Sequence, residues 1–285
     1  MRSVHLFFCL LCLLVQLAFC LHTQLCSQQQ TSALLQFKQQ FSFNESASQN
    51  CFTSYPKLQS WKKGSDCCSW DGVDCDNTTG QVIGLDLNCS CLQGTMHPNT
   101  TLFHYFPHLQ ILDLSFNDFG KSSIPPSIGR LTKLTHLHLV ESGFSGKVPM
   151  EVSFLTNLVS LHLYSEYDLR LEKPGFELLV QNLTHITDLR LFYVNISSNV
   201  PNSILNLTSL TTLALSSCGL YGKFLDGIFQ LPHLEWLGIG KNNALVGYFP
   251  TSINLTSPLQ FCMPLVVNSM DPFCHHLGIL HTLFG

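Results

Sequence analysis

The sequence predicts a solenoid of the α/β class: a right-handed coil with a parallel β-sheet on the concave face, short 3₁₀ and extended segments on the convex face, and a disulfide-stapled helical cap at the amino terminus. Three observations predict it. Leucines recur on a beat of 24 to 28 residues from Leu109 to Leu234, seven cysteines crowd between Cys26 and Cys91, and prolines recur between the leucine motifs.

The first element is a leader. "MRSVHLFFCLLCLLVQLAFC" carries Arg2, an apolar run from Leu6 to Phe19, and Ala18 and Cys20 at the −3 and −1 positions of a cleavage site. Residues 1–22 read as a secretory signal peptide, too short and too early for a good spanning helix. No other apolar run approaches the length that a membrane span needs. In 285 residues, 45% hydrophobic against 11% charged side chains leave room for a large core. A net charge of −4 without a basic run gives no reason to expect nucleic acid or a polybasic membrane contact.

Export makes sense of the cysteines, because crowded cysteines in an oxidising compartment read as a stapled module, here residues 23–81. "DCCSWDGVDC" is a poor zinc site: its adjacent Cys67 and Cys68 are not a two-residue-spaced pair, and no second half follows. Sequons agree with export. Asn44, Asn77, Asn88, Asn99, Asn182, Asn195, Asn206 and Asn254 each precede Ser or Thr at the glycosylation offset.

Residues 82–259 hold the repeats. "LQILDLSFNDF", "LTHLHLVESGF", "LVSLHLYSEYD", "ITDLRLFYVNI", "LTTLALSSCGL" and "LEWLGIGKNNA" align Leu109, Leu134, Leu158, Ile186, Leu210 and Leu234 at one phase, and "VIGLDLNCSCLQG" starts an earlier unit at Val82. The form L-x-x-L-x-L marks a leucine-rich-repeat solenoid of about seven units. Alternation along a strand sends Leu112 and Leu114 inward and Asp113 outward; one strand cannot shield its apolar face, so the units stack. Asn117 and Asn242 fall where a buried amide can bond backbone groups at the turn out of the strand.

Between the strands, "FGKSSIPPSIGRL", "FSGKVPMEVSFL", "ISSNVPNSILNL" and "LYGKFLDGIFQL" set an apolar residue, often with proline, before an x-x-[IV]-x-x-L segment. Proline there opposes a regular helix. With the consensus L-x-G-x-[IV]-P visible in residues 144–158, this part resembles the plant-specific class of extracellular leucine-rich repeats. "SALLQFKQQFS" resembles that family's capping helix, with Leu34, Phe37 and Phe41 on one face. "CCSWDGVDCDNTTGQVIGLDL", "GTMHPNTTLF" and "FELLVQNLT" resemble plant receptor-like proteins, single-pass surface receptors of the disease-resistance type with a repeat ectodomain and no kinase. The resemblance implies plasma-membrane placement for a full-length member, a role in immune perception, and a co-receptor kinase as partner. It also implies Cys26 paired with Cys67 and Cys68 with Cys75, leaving Cys51, Cys89, Cys91, Cys218, Cys262 and Cys274 unassigned.

The outward positions of stacked strands form one floor, on which His136, His138, His162, Tyr164, Arg190, Phe192 and Trp236 are the candidate binding residues for a protein, peptide or glycan. The three histidines should share one environment that titrates between pH 5 and 8, which suggests pH-dependent recognition. No metal site is assigned to them, since the strands appear without a carboxylate or cysteine ligand nearby. No catalytic residue or cofactor is expected: there is no G-x-S-x-G elbow, phosphate loop, H-E-x-x-H or kinase signature, and "DGVDCD" lacks the spacing of a calcium loop. A secreted polygalacturonase-inhibitor-like protein and a functionless remnant are the alternatives. Residues 260–285 break the beat, with Cys262 and Pro264 where leucines are due. They read as a non-repeat tail, either a truncation or mis-splicing product or a cap closed by Cys262 and Cys274.

Overall fold

A computed structural model describes residues 26–98, 100, 102–247, 259 and 261–263. The leader, residues 1–22, lies outside the described residues, as do Cys274 and the side chain of Cys262.

The cap opens with α1 (Gln28–Lys38), where Ser27 accepts from the Gln30 N–H as N-cap. Ala33, Leu34 and Phe37 bury one face. The helix stops before Phe41, which was expected to share that face. Phe41 instead begins strand β1 (Phe41–Phe43) and sets its ring 4.7 Å from Phe37 and 5.3 Å from Phe119. Trp61 and Trp70 stack at 5.4 Å, with their ring N–H groups donated to the Asp71 carbonyl and the Ser65 hydroxyl. Disulfides join Cys26 to Cys67, Cys68 to Cys75 and Cys51 to Cys89. Strand β2 (Val73–Cys75) then pairs antiparallel with β3 (Val82–Asp86), the first repeat strand. Gly72 makes the turn: its φ is +77°, and a Cβ there would stand 2.2 Å from the Asp86 carbonyl oxygen.

Short strand β4 (Leu92–Gly94) pairs antiparallel with β1 and ties the cap to the first repeat. Beyond it, β5 (Ile111–Asp113), β6 (His136–Val140), β8 (Ser160–Tyr164), β10 (Asp188–Phe192), β11 (Thr212–Ala214) and β13 (Trp236–Gly238) extend the sheet in parallel from β3. Each central leucine, Leu112, Leu137, Leu161, Leu189, Leu213 and Leu237, is fully buried and sits level with the next in the register. β15 (Phe261–Met263) adds to the same sheet, with Cys262 opposite Leu237. The strand in which the leucine beat breaks, between Leu259 and Cys262, thus still pairs with β13. Ladder bonds are made by the backbone, so the loss of leucine at 262 does not prevent pairing.

Behind the leucines, 3₁₀ turns start directly after proline at Pro126–Arg130, Met150–Phe154 and Asn202–Asn206, preceded by Pro125, Pro149 and Pro201. The unit with 28-residue spacing is the exception, forming the α-helix α2 (Gly175–Asn182). Its four additional residues are about one helical turn. Small parallel pairs, β7 (Gly146–Lys147) with β9 (Leu169–Arg170) and β12 (Tyr221–Lys223) with β14 (Ala244–Val246), flank the main sheet.

Candidate ligand-recognition face

The register lays the outward side chains in columns across the strands. One column runs Ile111, His136, Ser160, Asp188, Thr212, Trp236; the next runs Asp113, His138, His162, Arg190, Ala214, Gly238. A third holds Val140, Tyr164 and Phe192. All seven candidate residues thus lie on one face, although the structure divides them into two groups.

The first group is polar. The rings of His138 and His162 stack 4.1 Å apart at 10°, and His136 meets His138 edge-on at 6.0 Å. Carboxylates stand beside them, contrary to expectation, because parallel register brings together residues some 25 positions apart. His138 Nδ1 is 3.5 Å from Asp113, and His162 Nε2 is 3.0 Å from Asp188. The Ser160 hydroxyl lies 2.9 Å from His138 Nε2 and 3.2 Å from His162 Nε2. Arg190 closes the chain, donating from Nε and Nη2 to the two oxygens of Asp188 at 2.8 and 3.0 Å.

These contacts set the charges. Burial pushes the Asp113 carboxyl upward, but hydrogen bonds from His138 and Ser115 outweigh it and hold the group below the usual carboxylate value. Burial likewise opposes ionisation of Asp188, and bonds from His162 and Arg190 win. His136 is harder to protonate than a free imidazole, first because of burial and then because of charge on His138 and His162. Burial also raises the Tyr164 phenol.

Asp113, His138 and Ser160 stand in the order of a hydrolase triad, yet they lack its surroundings. Ser160 is only 6% exposed, a second histidine shares its oxygen, and its own N–H is donated to the Thr135 carbonyl and so does not serve an oxyanion. The sulfurs of Cys26, Cys67 and Cys68 also cluster, but all are bonded in disulfides and offer no thiolate to a metal.

The second group is aromatic. Phe192 meets Trp236 edge-on at 6.1 Å, and Tyr164 tilts 5.6 Å from Tyr193, over which Lys241 lies at 5.9 Å. Trp236 lies across Gly238, where a Cβ would stand 2.4 Å from its ring. Tyr193 and Lys241 were missed by reading the alternation alone. They follow the strand with φ of +54° and +58°, in the slot that Phe116 and Glu141 fill in earlier units, and a repeat alignment extended by one column finds them.

Asn117 and Asn242 are buried. Asn117 Oδ1 accepts from the Leu92 N–H, and its amide donates toward the carbonyls of Leu87, Leu114 and Ser115. Asn242 serves Cys218 and Leu220 in the same way. Among the sequons, Asn77, Asn195 and Asn206 are exposed and Asn44, Asn88 and Asn182 half-buried; Asn99 and Asn254 lie outside the described residues.

Comparison with known proteins places this geometry. A leucine-rich-repeat N-terminal domain matches residues 27–76. The chain is 44% identical over 235 residues to receptor-like protein 9DC1 of Solanum pimpinellifolium, covering 80% of this chain and 27% of that protein. It is 39% identical over 248 residues to receptor-like protein 6 of Arabidopsis thaliana, covering 82% and 25%. The Arabidopsis receptor kinase HAESA, solved with the peptide hormone IDA and the co-receptor SERK1, matches with a TM-score of 0.52 at 25% identity, over 83% of this chain and 45% of that one. The chain spans about a quarter of the length of these two receptor-like proteins. It is a leucine-rich-repeat chain homologous, over its cap and repeats, to the amino-terminal part of the plant receptor-like proteins.

Proposed function

We propose that this chain is the ligand-recognition part of a plant surface receptor-like protein and takes a protein, peptide or glycan on its concave face. One observation carries the reading. Tyr164, Arg190, Phe192 and Trp236, types that often anchor interfaces, lie together on one continuous outward floor instead of being scattered over the surface. The homology supports it, as does the HAESA complex, where a related ectodomain holds a peptide hormone with a co-receptor. On the same reading the full-length protein sits in the plasma membrane, serves immune perception and works with a co-receptor kinase. Glycans occupy the exposed Asn77, Asn195 and Asn206.

A displayed random-peptide library panned against the secreted, glycosylated protein tests the face. Selected binders should lose tenfold or more in affinity, about 1.4 kcal/mol, on Phe192→Ala with Trp236→Ala and on Arg190→Ala. Binders indifferent to all three substitutions would place recognition elsewhere.

A further inference from the structure

The hydrogen bonds of the stacked histidines leave one place for a proton. Asp113 and Asp188 are acceptors, so His138 carries its ring hydrogen on Nδ1 and His162 on Nε2. Ser160 then donates its hydroxyl hydrogen to His138 Nε2 and lies 3.2 Å from His162 Nε2. Both rings are neutral in this pattern, and both nitrogens of His138 are engaged. His162 Nδ1 has no hydrogen-bond partner among the described residues, so a proton placed there breaks none of these contacts.

The charges around that ring are layered. His136 and His138 stand on β6, Tyr164 on the same strand, Asp188 and Arg190 on β10, and Asp113 beyond on β5, while Glu141 and Glu166 act on Tyr164 from outside the group. The Asp188 side chain is 23% exposed and that of Arg190 44%, and Arg190 Nη1 is not used on Asp188. The cation thus faces the groove with the anion under it. While the rings are neutral, two carboxylates outnumber one guanidinium; one added proton cancels the excess.

We propose that Arg190 receives an acidic side chain of a peptide ligand, and that protonation of His162 beneath it makes this recognition stronger as pH falls through the histidine range. The inference rests on the ligand-binding reading above and assigns the chemistry of the partner. Arg190 supplies the contact and His162 the charge that decides whether an anion is welcome. Two strand intervals, about 10 Å, separate Arg190 on β10 from Trp236 on β13. An extended peptide covers that distance in about three residues, so an acidic residue and an apolar one that far apart can reach both groups.

The displayed peptide library, panned on the secreted, glycosylated protein at about pH 5.5, should yield binders with Asp or Glu about three residues from an apolar residue. Their affinity should fall roughly tenfold at about pH 7.5, and binding should take up protons, read by calorimetry in buffers of different ionisation enthalpy. His162→Gln, which keeps a donor for Asp188, should flatten the pH dependence, and Arg190→Gln should weaken binding at both pH values. Proton uptake is measured on the wild type, so the test stands even where the His162 variant does not fold. Binders that need Phe192 and Trp236 but show neither acidic residues nor pH dependence would overturn this inference and leave the proposed function standing. A pH dependence that survives His162→Gln, or oligogalacturonate binding more tightly than every selected peptide, would overturn it as well.

Discussion

Replacing Asn117 by alanine should remove about 3 kcal/mol of stability. The side chain is 2% exposed and accepts from the Leu92 N–H at 3.0 Å. Its amide lies within 3.1 Å of the Leu87, Leu114 and Ser115 carbonyls, but two hydrogens can satisfy only two of these well at a time. Three effective bonds at about 1 kcal/mol each give the total, and the stranded N–H of Leu92 adds to it. This is a large part of the ~5–15 kcal/mol that holds an ordinary domain together. Urea unfolding measures the loss, and because stacked repeats can open in part, hydrogen exchange at the Leu92 amide should localise it. Asn117→Asp separates donor from acceptor. It keeps the accepted bond but turns an ionised oxygen toward carbonyls, so it should cost more than alanine at neutral pH. Its native carboxyl pKa would be raised, so the deficit should shrink as pH falls through that raised value. A loss below about 1 kcal/mol for the alanine variant would refute the argument that this slot ties adjacent units.

Other outcomes follow from single features. Joint replacement of Cys51 and Cys89 by serine should cost about 2–4 kcal/mol, read as a lower melting temperature, because the bridge ties the cap to the first repeat across a sequence separation of 38. The Cys218 thiol, fully buried and pushed up to about 12 by burial, should resist iodoacetamide at pH 8 until denaturant opens the sheet. Side-chain and backbone hydrogen bonds from Thr78 and Thr79 bring Asp76 down to about 2. Their contribution is therefore present above the unfolded value of 3.8 and lost as pH falls through about 2, and the Thr78 and Thr79 amide resonances should move in that window and not above it. Gly238→Ala should lift Trp236 off the strand and shift its fluorescence; an unchanged spectrum would contradict the packing of ring on glycine.

The repeats were legible because the alternation of a strand and the 24-residue beat both write themselves into leucine positions, and Leu112, Leu137 and Leu161 stack accordingly. What was less legible depended on register between units. Asp113 and His138 occupy the same column of the repeat alignment and could have been paired by it. Asp188 is one column from His162, and the diagonal contact depends on how far each side chain leans. The Cys51–Cys89 bridge left no signal beyond the presence of two cysteines, since the 44–50 segment that carries Cys51 to the first repeat has no periodicity. Helix α2 was announced only by a longer interval, which specifies how many residues to place but not their conformation.

The two halves of the concave face differ in what a ligand would have to displace. Toward the cap, Lys57 holds Asp86, His138 holds Asp113, and Asp188 lies between His162 and Arg190. A ligand using these groups must exchange one satisfied polar contact for another, which roughly breaks even and so selects among partners more than it tightens any of them. Toward β13 the floor shrinks to Ala214, Ser216, Gly238 and Gly240, all buried, with Phe192 and Trp236 standing over it. Apolar contact there costs no ion pair. Within the proposed function, Trp236→Ala should therefore weaken every partner by about 2 kcal/mol or more, whereas Arg190→Ala should reorder partners of different charge. Equal losses across partners for both substitutions would show that the face does not divide its work this way.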